Sequence, residues 1–254
     1  MDLNKLLKVS TFAGKIMLES GAETYRVEET IVRICKSFGV DNADSFVIPT
    51  GIIVTITHND EVSTLVRRIT SRGVDLNKID KVNELSRKTQ SKAINIDEFN
   101  KELLKISNGD RYTPLTTLIC SAIAAGCFSI MFGGSVRDFI AASFIGAFIK
   151  IISVVCQKLS INEFFINSLC GGICAFLAIV FLKVNIILNI DNTIIGSIML
   201  LVPGLTITNA IRDTIAGDFL SGMTKAAEAF LVAVSIAVGT GAILSIFINS
   251  FGGI

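Results

Sequence analysis

The chain has 254 residues, of which 51% are hydrophobic and 18% charged, with a formal net charge of +1; a soluble domain carries about 25% charged residues. The near-zero charge, with no basic stripe interleaved with aromatics, excludes a nucleic-acid binder. A single histidine, His58, and six cysteines without a Cys-x-x-Cys leave too few ligands for zinc, so neither metal nor cofactor is expected.

Charge divides the chain. Of the 23 Lys and Arg residues, 17 precede Pro114; of the 22 Asp and Glu residues, 16 do, and the remainder holds only twelve charges. The expected fold is a mainly α membrane protein. A small cytoplasmic α/β domain over 1–113 precedes a bundle of about five transmembrane helices over 114–254. The N-terminus lacks the apolar core and cleavage site of a signal peptide, which places the first domain in the cytoplasm.

Leu3, Leu6, Leu7, Ser10, Ala13, Ile16 and Met17 follow helical spacing, with charges on the opposite side. Ser20-Gly21-Ala22-Glu23 then reads as a capping box opening a second helix. That helix buries Val27, Ile31, Ile34 and Phe38 and ends at Gly39. Runs of β-branched residues predict strands over 45–48, 52–57 and 62–69. Pro49-Thr50-Gly51 separates the first two, and His58-Asn59-Asp60-Glu61 forms a hairpin loop. Leu76, Ile79, Val82 and Leu85 mark one further helix; Phe99, Leu103 and Ile106 mark another. Asn108-Gly109-Asp110 is the turn into the membrane half.

A span needs about 20 mostly apolar residues. Five candidates follow, over 115–132, 139–156, 164–182, 193–209 and 229–249. Thr113 caps the first and Pro114 takes its first helical position. The loop charges slightly favour an inward N-terminus and an outward C-terminus. Small residues at Ala142 and Gly146, Gly171-Gly172 with Ala175, and Gly239 and Gly241 let helices pack closely. Lys150, inside the second span, snorkels to the inner surface or serves as a counter-ion.

One stretch departs from a plain span. Pro203 removes a backbone donor and Gly204 adds freedom, so the fourth span is expected to kink or break. Freed backbone groups at membrane depth must line protein or a wet cavity, as in the broken helices of secondary transporters. Thr208, Asn209, Arg212 and Asp213 form a polar face on successive turns. Asp218, Lys225 and Glu228 follow. The alternative is an ordinary loop with a solvated run of charge.

Two segments, Ser20-Gly21-Ala22-Glu23-Thr24-Tyr25-Arg26-Val27-Glu28-Glu29 and Val202-Pro203-Gly204 leading to Thr208-Asn209-Ala210-Ile211-Arg212-Asp213 and Ala216-Gly217-Asp218, resemble the threonine/serine exporter family (ThrE type). The resemblance covers essentially the whole chain. It implies a split version of the family carrying the soluble domain and the first five spans. It also implies a second, shorter (YjjB-like) membrane subunit that supplies the rest. Proton-driven export of threonine and serine is the activity implied, with succinate export associated with split members. Arg212 is suited to a substrate carboxylate, and Asp213 or Asp218 to an ammonium or the coupling proton. Ser20, Gly21, Glu23 and Arg26 are a second candidate motif. Homo-oligomerisation is a further expectation.

Two other classes compete. An intramembrane aspartyl protease needs two carboxylates meeting from facing helices, whereas Asp213 and Asp218 lie five residues apart on one segment. A membrane-anchored sensor or scaffold needs fewer spans than the five expected.

Overall fold

A computed structural model describes residues 2–91, 94–109 and 112–251. The chain divides into two compact units, Met1–Asp110 with Gly204–Ala227 and Arg111–Pro203 with Glu228–Ile254.

The first unit opens with helices α1 (Leu3–Glu19) and α2 (Thr24–Ser37). Strands β1 (Asn42–Ile48), β2 (Gly51–His58) and β3 (Glu61–Arg68) form an antiparallel meander in the order β1-β2-β3. Asn59 and Asp60 take positive φ (50° and 64°) in the β2–β3 loop, the conformation a tight hairpin turn demands. Ile52, Val54 and Ile56 are buried on one sheet face, as their alternation predicts. They join Leu6, Leu7 and Met17 of α1 and Val27, Ile31 and Ile34 of α2 in one core. Helices α3 (Leu76–Ser91) and α4 (Ile96–Ser107) complete that core through Val82, Phe99 and Leu103. Asp110 of the expected turn lies outside the described residues. The unit is completed by α9 (Gly204–Ala216) and the first turns of α10 (Phe219–Phe251).

The capping box expected at Ser20 is not formed. Ser20 instead closes α1, its N–H bonding Ile16 and Met17 carbonyls, and Glu23 precedes α2 without a side-chain cap bond. Gly21, at φ 88°, makes the turn between the helices. A Cβ there would lie 2.9 Å from the Gly73 carbonyl oxygen. The α2 cap comes from elsewhere in the chain.

The second unit holds α5 (Pro114–Met131), α6 (Val136–Lys158), α7 (Glu163–Lys183), α8 (Ile190–Ile198) and the remainder of α10. Thr113 caps α5, accepting from the Thr116 N–H at 3.2 Å, with Pro114 in the first turn. Gly171 and Gly239 let α7 and α10 touch: a Cβ on Gly171 would meet the Ile236 carbonyl at 2.8 Å, and one on Gly239 would collide with Ser168. Among the described residues four helices are long and apolar enough to cross a membrane: α5, α6, α7 and α10.

The expected fourth span is not one helix. It is interrupted between α8 and α9, with turns at 199–201, a bend at Val202 and Pro203 immediately before α9. Pro203 lacks the N–H a continuous helix would need, and its ring clashes with the preceding turn.

Asp138 was not singled out from the sequence, yet it organises the second unit. It forms a capping box with Ser135 and is 1% exposed. It also accepts from the backbone N–H groups of Leu188 and Asn189 and from the Thr193 hydroxyl, at 3.2–3.4 Å. One carboxylate thereby closes α6, the α7–α8 connection and α8. Lys150 is half-buried in α6 and pairs with no carboxylate among the described residues.

Candidate functional site

The polar face expected on 208–213 is an α-helix, and it packs on the start of α2. Gly204 opens α9 after Pro203. Gly217, at φ 96°, ends it in the left-handed conformation that suits glycine, with the Asp218 N–H returning to the Asp213 carbonyl at 2.9 Å. Gly222 then allows the first turn of α10 to lie against α9, since a Cβ there would sit 3.0 Å from the Ala210 carbonyl. Residues 212–225 are therefore a helical hairpin and not a solvated loop.

Asp213 is the centre of this arrangement and is fully buried. One carboxylate oxygen accepts from the Thr24 backbone N–H at 3.0 Å. The other accepts from the Thr24 hydroxyl at 3.0 Å and the Lys225 ammonium at 2.7 Å. The first N–H of a helix has no partner within the helix. Asp213 supplies that partner, and a carboxylate at a helix N-terminus is further favoured by the helix dipole. Lys225, itself only 7% exposed, also donates to the Ala22 carbonyl at 3.3 Å. A buried ion pair holds only when its remaining donors and acceptors are met. Here Thr24 and Ala22 meet them.

A second pair is made by the residues immediately preceding Asp213 and Thr24. Arg212 donates through Nη1 to Glu23 at 2.5 Å, and Arg26 approaches the other Glu23 oxygen at 3.4 Å. Glu23 is nearly buried, whereas Arg212 is half-exposed. Burial opposes ionisation of Glu23, but its own backbone N–H, the Arg212 hydrogen bond and the charges of Arg26 and Arg212 hold its pKa below the ordinary glutamate value. Asn209, 3% exposed, donates to the Gly21 carbonyl at 2.8 Å, and its side-chain oxygen is buried with no partner among the described residues. An unmet buried acceptor costs about 1–3 kcal/mol.

Two further carboxyls have raised pKa values. For Asp218 the causes are burial and then the nearby Asp213 charge, partly offset by Lys225. For Glu28 the cause is burial, eased by the Val47 N–H it accepts at 2.7 Å, with Asp218 and Asp213 adding repulsion.

The structure thus brings together Gly21, Glu23, Arg26, Asn209, Arg212, Asp213 and Lys225. Thr208, Pro203, Gly204 and Ser20 make none of these contacts. Thr208 is exposed and donates to the Gly204 carbonyl in its own helix, while Pro203 and Gly204 act through the break. Ser20 contributes its carbonyl to the Asp75 N–H. Glu228 is half-buried on α10, three residues beyond Lys225. Sequence reasoning passed over Thr24 and Glu28 as site residues. Their spacing of four on α2 was the available signal, since it puts both on one helical face.

Residues 8–247 match a protein-family model described as "Putative threonine/serine exporter". The chain is 20% identical over 224 residues to a "Probable succinate transporter subunit YjjP" of Klebsiella aerogenes, covering 88% of this chain and 86% of that protein. It is 20% identical to the protein of the same description in Escherichia coli, covering 92% and 91%. A "Probable threonine/serine exporter" of Mycobacterium tuberculosis is 21% identical over 94% of this chain, which spans only 46% of that relative. No solved structure matches the chain.

Proposed function

The chain belongs to the threonine/serine exporter family, and on that premise we propose that it exports small carboxylate-bearing metabolites of the threonine/serine type. It is a membrane transport protein, not an enzyme. The observation that carries the substrate reading is the cluster uniting the α1–α2 turn with α9. There Arg212 is half-exposed and engaged by Glu23 through a single nitrogen, so its guanidinium retains donors for a substrate carboxylate. The unmet oxygen of Asn209, one turn earlier, is suited to a substrate ammonium once the site opens.

Coupling is assigned to protons. Asp213 is committed to Thr24 and Lys225, whereas Asp218 has a raised pKa and so is the better carrier. The soluble residues face the cytoplasm in this reading. The word "subunit" in the names of two relatives supports a second, shorter membrane subunit as partner.

A second substrate reading has its own support. The two relatives named for succinate match this chain over most of their length, which favours a dicarboxylate.

The test is efflux from cells preloaded with threonine- and serine-containing dipeptides, with succinate followed in parallel, with and without the second subunit. Uncoupler-sensitive loss of one metabolite identifies the substrate. Absence of efflux with both subunits in the membrane overturns the reading in favour of a sensor or scaffold.

A further inference from the structure

We propose that the crevice between α1, β3 and α4 is a second ligand site, taking a small organic anion with an apolar body. It is separate from the Asp213 cluster and does not depend on the transport reading. The crevice has a volume of about 400 Å³, within the range of sites for small organic ligands, about 300–1,000 Å³.

Three elements build it by their own periodicity. Lys5, Lys8 and Phe12 lie three and four residues apart on α1, and so on one face. Leu65 and Arg67 alternate onto the inner face of β3, opposite the buried Val54 and Ile52 of β2. Leu104 closes the side from α4. Phe12, Leu65 and Leu104 make an apolar wall, and Lys5, Lys8 and Arg67 bring three positive charges to it.

Among the described residues no acidic side chain lines the crevice. Lys5 is compensated by Asp97 at 2.6 Å. The described residues pair neither Lys8 nor Arg67 with a carboxylate. Two cations without a carboxylate partner among the described residues, beside the half-buried Phe12 and Leu65 and the exposed Leu104, attract a molecule that is anionic at one end and apolar at the other. A polyanion without an apolar part would leave the wall wet, and a neutral apolar molecule would leave the cations unmatched. The same chemistry is shared by a soluble aromatic or short-chain carboxylate and by an anionic lipid.

The test uses the full chain in phosphatidylcholine nanodiscs and fluorine NMR of para-trifluoromethylbenzoate, with para-trifluoromethylbenzyl alcohol as the uncharged control. Saturable broadening of the benzoate alone is expected. It is expected to persist in Arg212→Ala and to weaken at least about tenfold in Lys8→Gln/Arg67→Gln. Both substituted side chains reach solvent, and a retained thermal transition shows that the double variant folds. Displacement of the probe by phosphatidylglycerol in the nanodisc identifies a lipid as the natural source; persistence identifies a soluble anion. Equal binding by the double variant, equal binding of the alcohol, or no saturable binding overturns the proposal.

Discussion

Asp213 and Thr24, 189 residues apart in the chain, are joined by two hydrogen bonds of 3.0 Å each, one to the Thr24 N–H and one to its hydroxyl. The carboxylate of one helix therefore caps another that the chain made long before. Lys225 closes the same contact from α10 at 2.7 Å.

Replacing Asp213 by Asn keeps the shape of the side chain and removes its charge. The Lys225 ammonium is then buried without a counter-charge, a situation that costs about 3–5 kcal/mol. Thermal unfolding of the purified protein is expected to show this loss. The Asp213→Asn/Lys225→Met pair is expected to recover a substantial part of it, which would separate a stranded charge from a lost cap.

Arg212→Ala has a different signature. The Arg212–Glu23 pair has a half-exposed partner, and such pairs contribute at most about 1 kcal/mol. Unfolding is expected to change little while export is lost. Arg212→Lys is not expected to restore export, because an ammonium cannot offer the planar fork of a guanidinium. Normal export by Arg212→Ala would remove Arg212 from the site.

The carboxyls of the cluster separate by pH. Glu23 has a lowered pKa, so the fold favours its ionised form. Its stabilising contribution is present above the ordinary value of 4.5 and is lost as pH falls through the folded value. Glu28 has a raised pKa, so the fold favours its protonated form; that contribution is present below 4.5 and is lost as pH rises through the folded value. Glu23→Gln is therefore expected to destabilise at neutral pH and to converge on the parent in acid. Glu28→Gln is expected to stabilise at neutral pH. Unfolding temperatures measured from acid to neutral pH check both signs.

Asp218→Asn tests coupling directly. Its raised pKa makes it the carboxyl of the α9–α10 turn best suited to release and take up a proton. Export by the variant is expected to lose its sensitivity to an imposed pH gradient while exchange of substrate across the membrane continues. Retained sensitivity would transfer the role to another carboxyl.

Gly21→Ala is expected to destabilise by about 1–2 kcal/mol, the cost of the left-handed conformation to a residue with a Cβ. The Cβ also lies too near the Gly73 carbonyl. Export is expected to fall with stability, since the Gly21 carbonyl is what orients Asn209. Unfolding and efflux of the same variant measure the two effects.

The secondary-structure elements were legible in the residue pattern alone. Alternating Ile52, Val54 and Ile56 make a strand with one buried face, and runs such as that of α7 make a membrane helix, because local periodicity reports which side meets water or lipid. Pro203 likewise announced its break, since a missing N–H is a property of the residue. Arg212 and Asp213 were legible as unusual because charge within an apolar half is costly wherever it lies.

Their partners were not legible. Ser20 and Glu23 carry the spacing of a capping box, yet the N–H groups of a helix start donate to any well-placed oxygen, and Asp213 is better placed. Nor does local sequence tell that Glu28 and Asp218 repel a common neighbour, or that Asp138 serves three segments. Hydrogen bonds and ion pairs act over a few ångströms of space, whatever the separation along the chain, so which polar groups meet follows from the folded arrangement and not from their spacing.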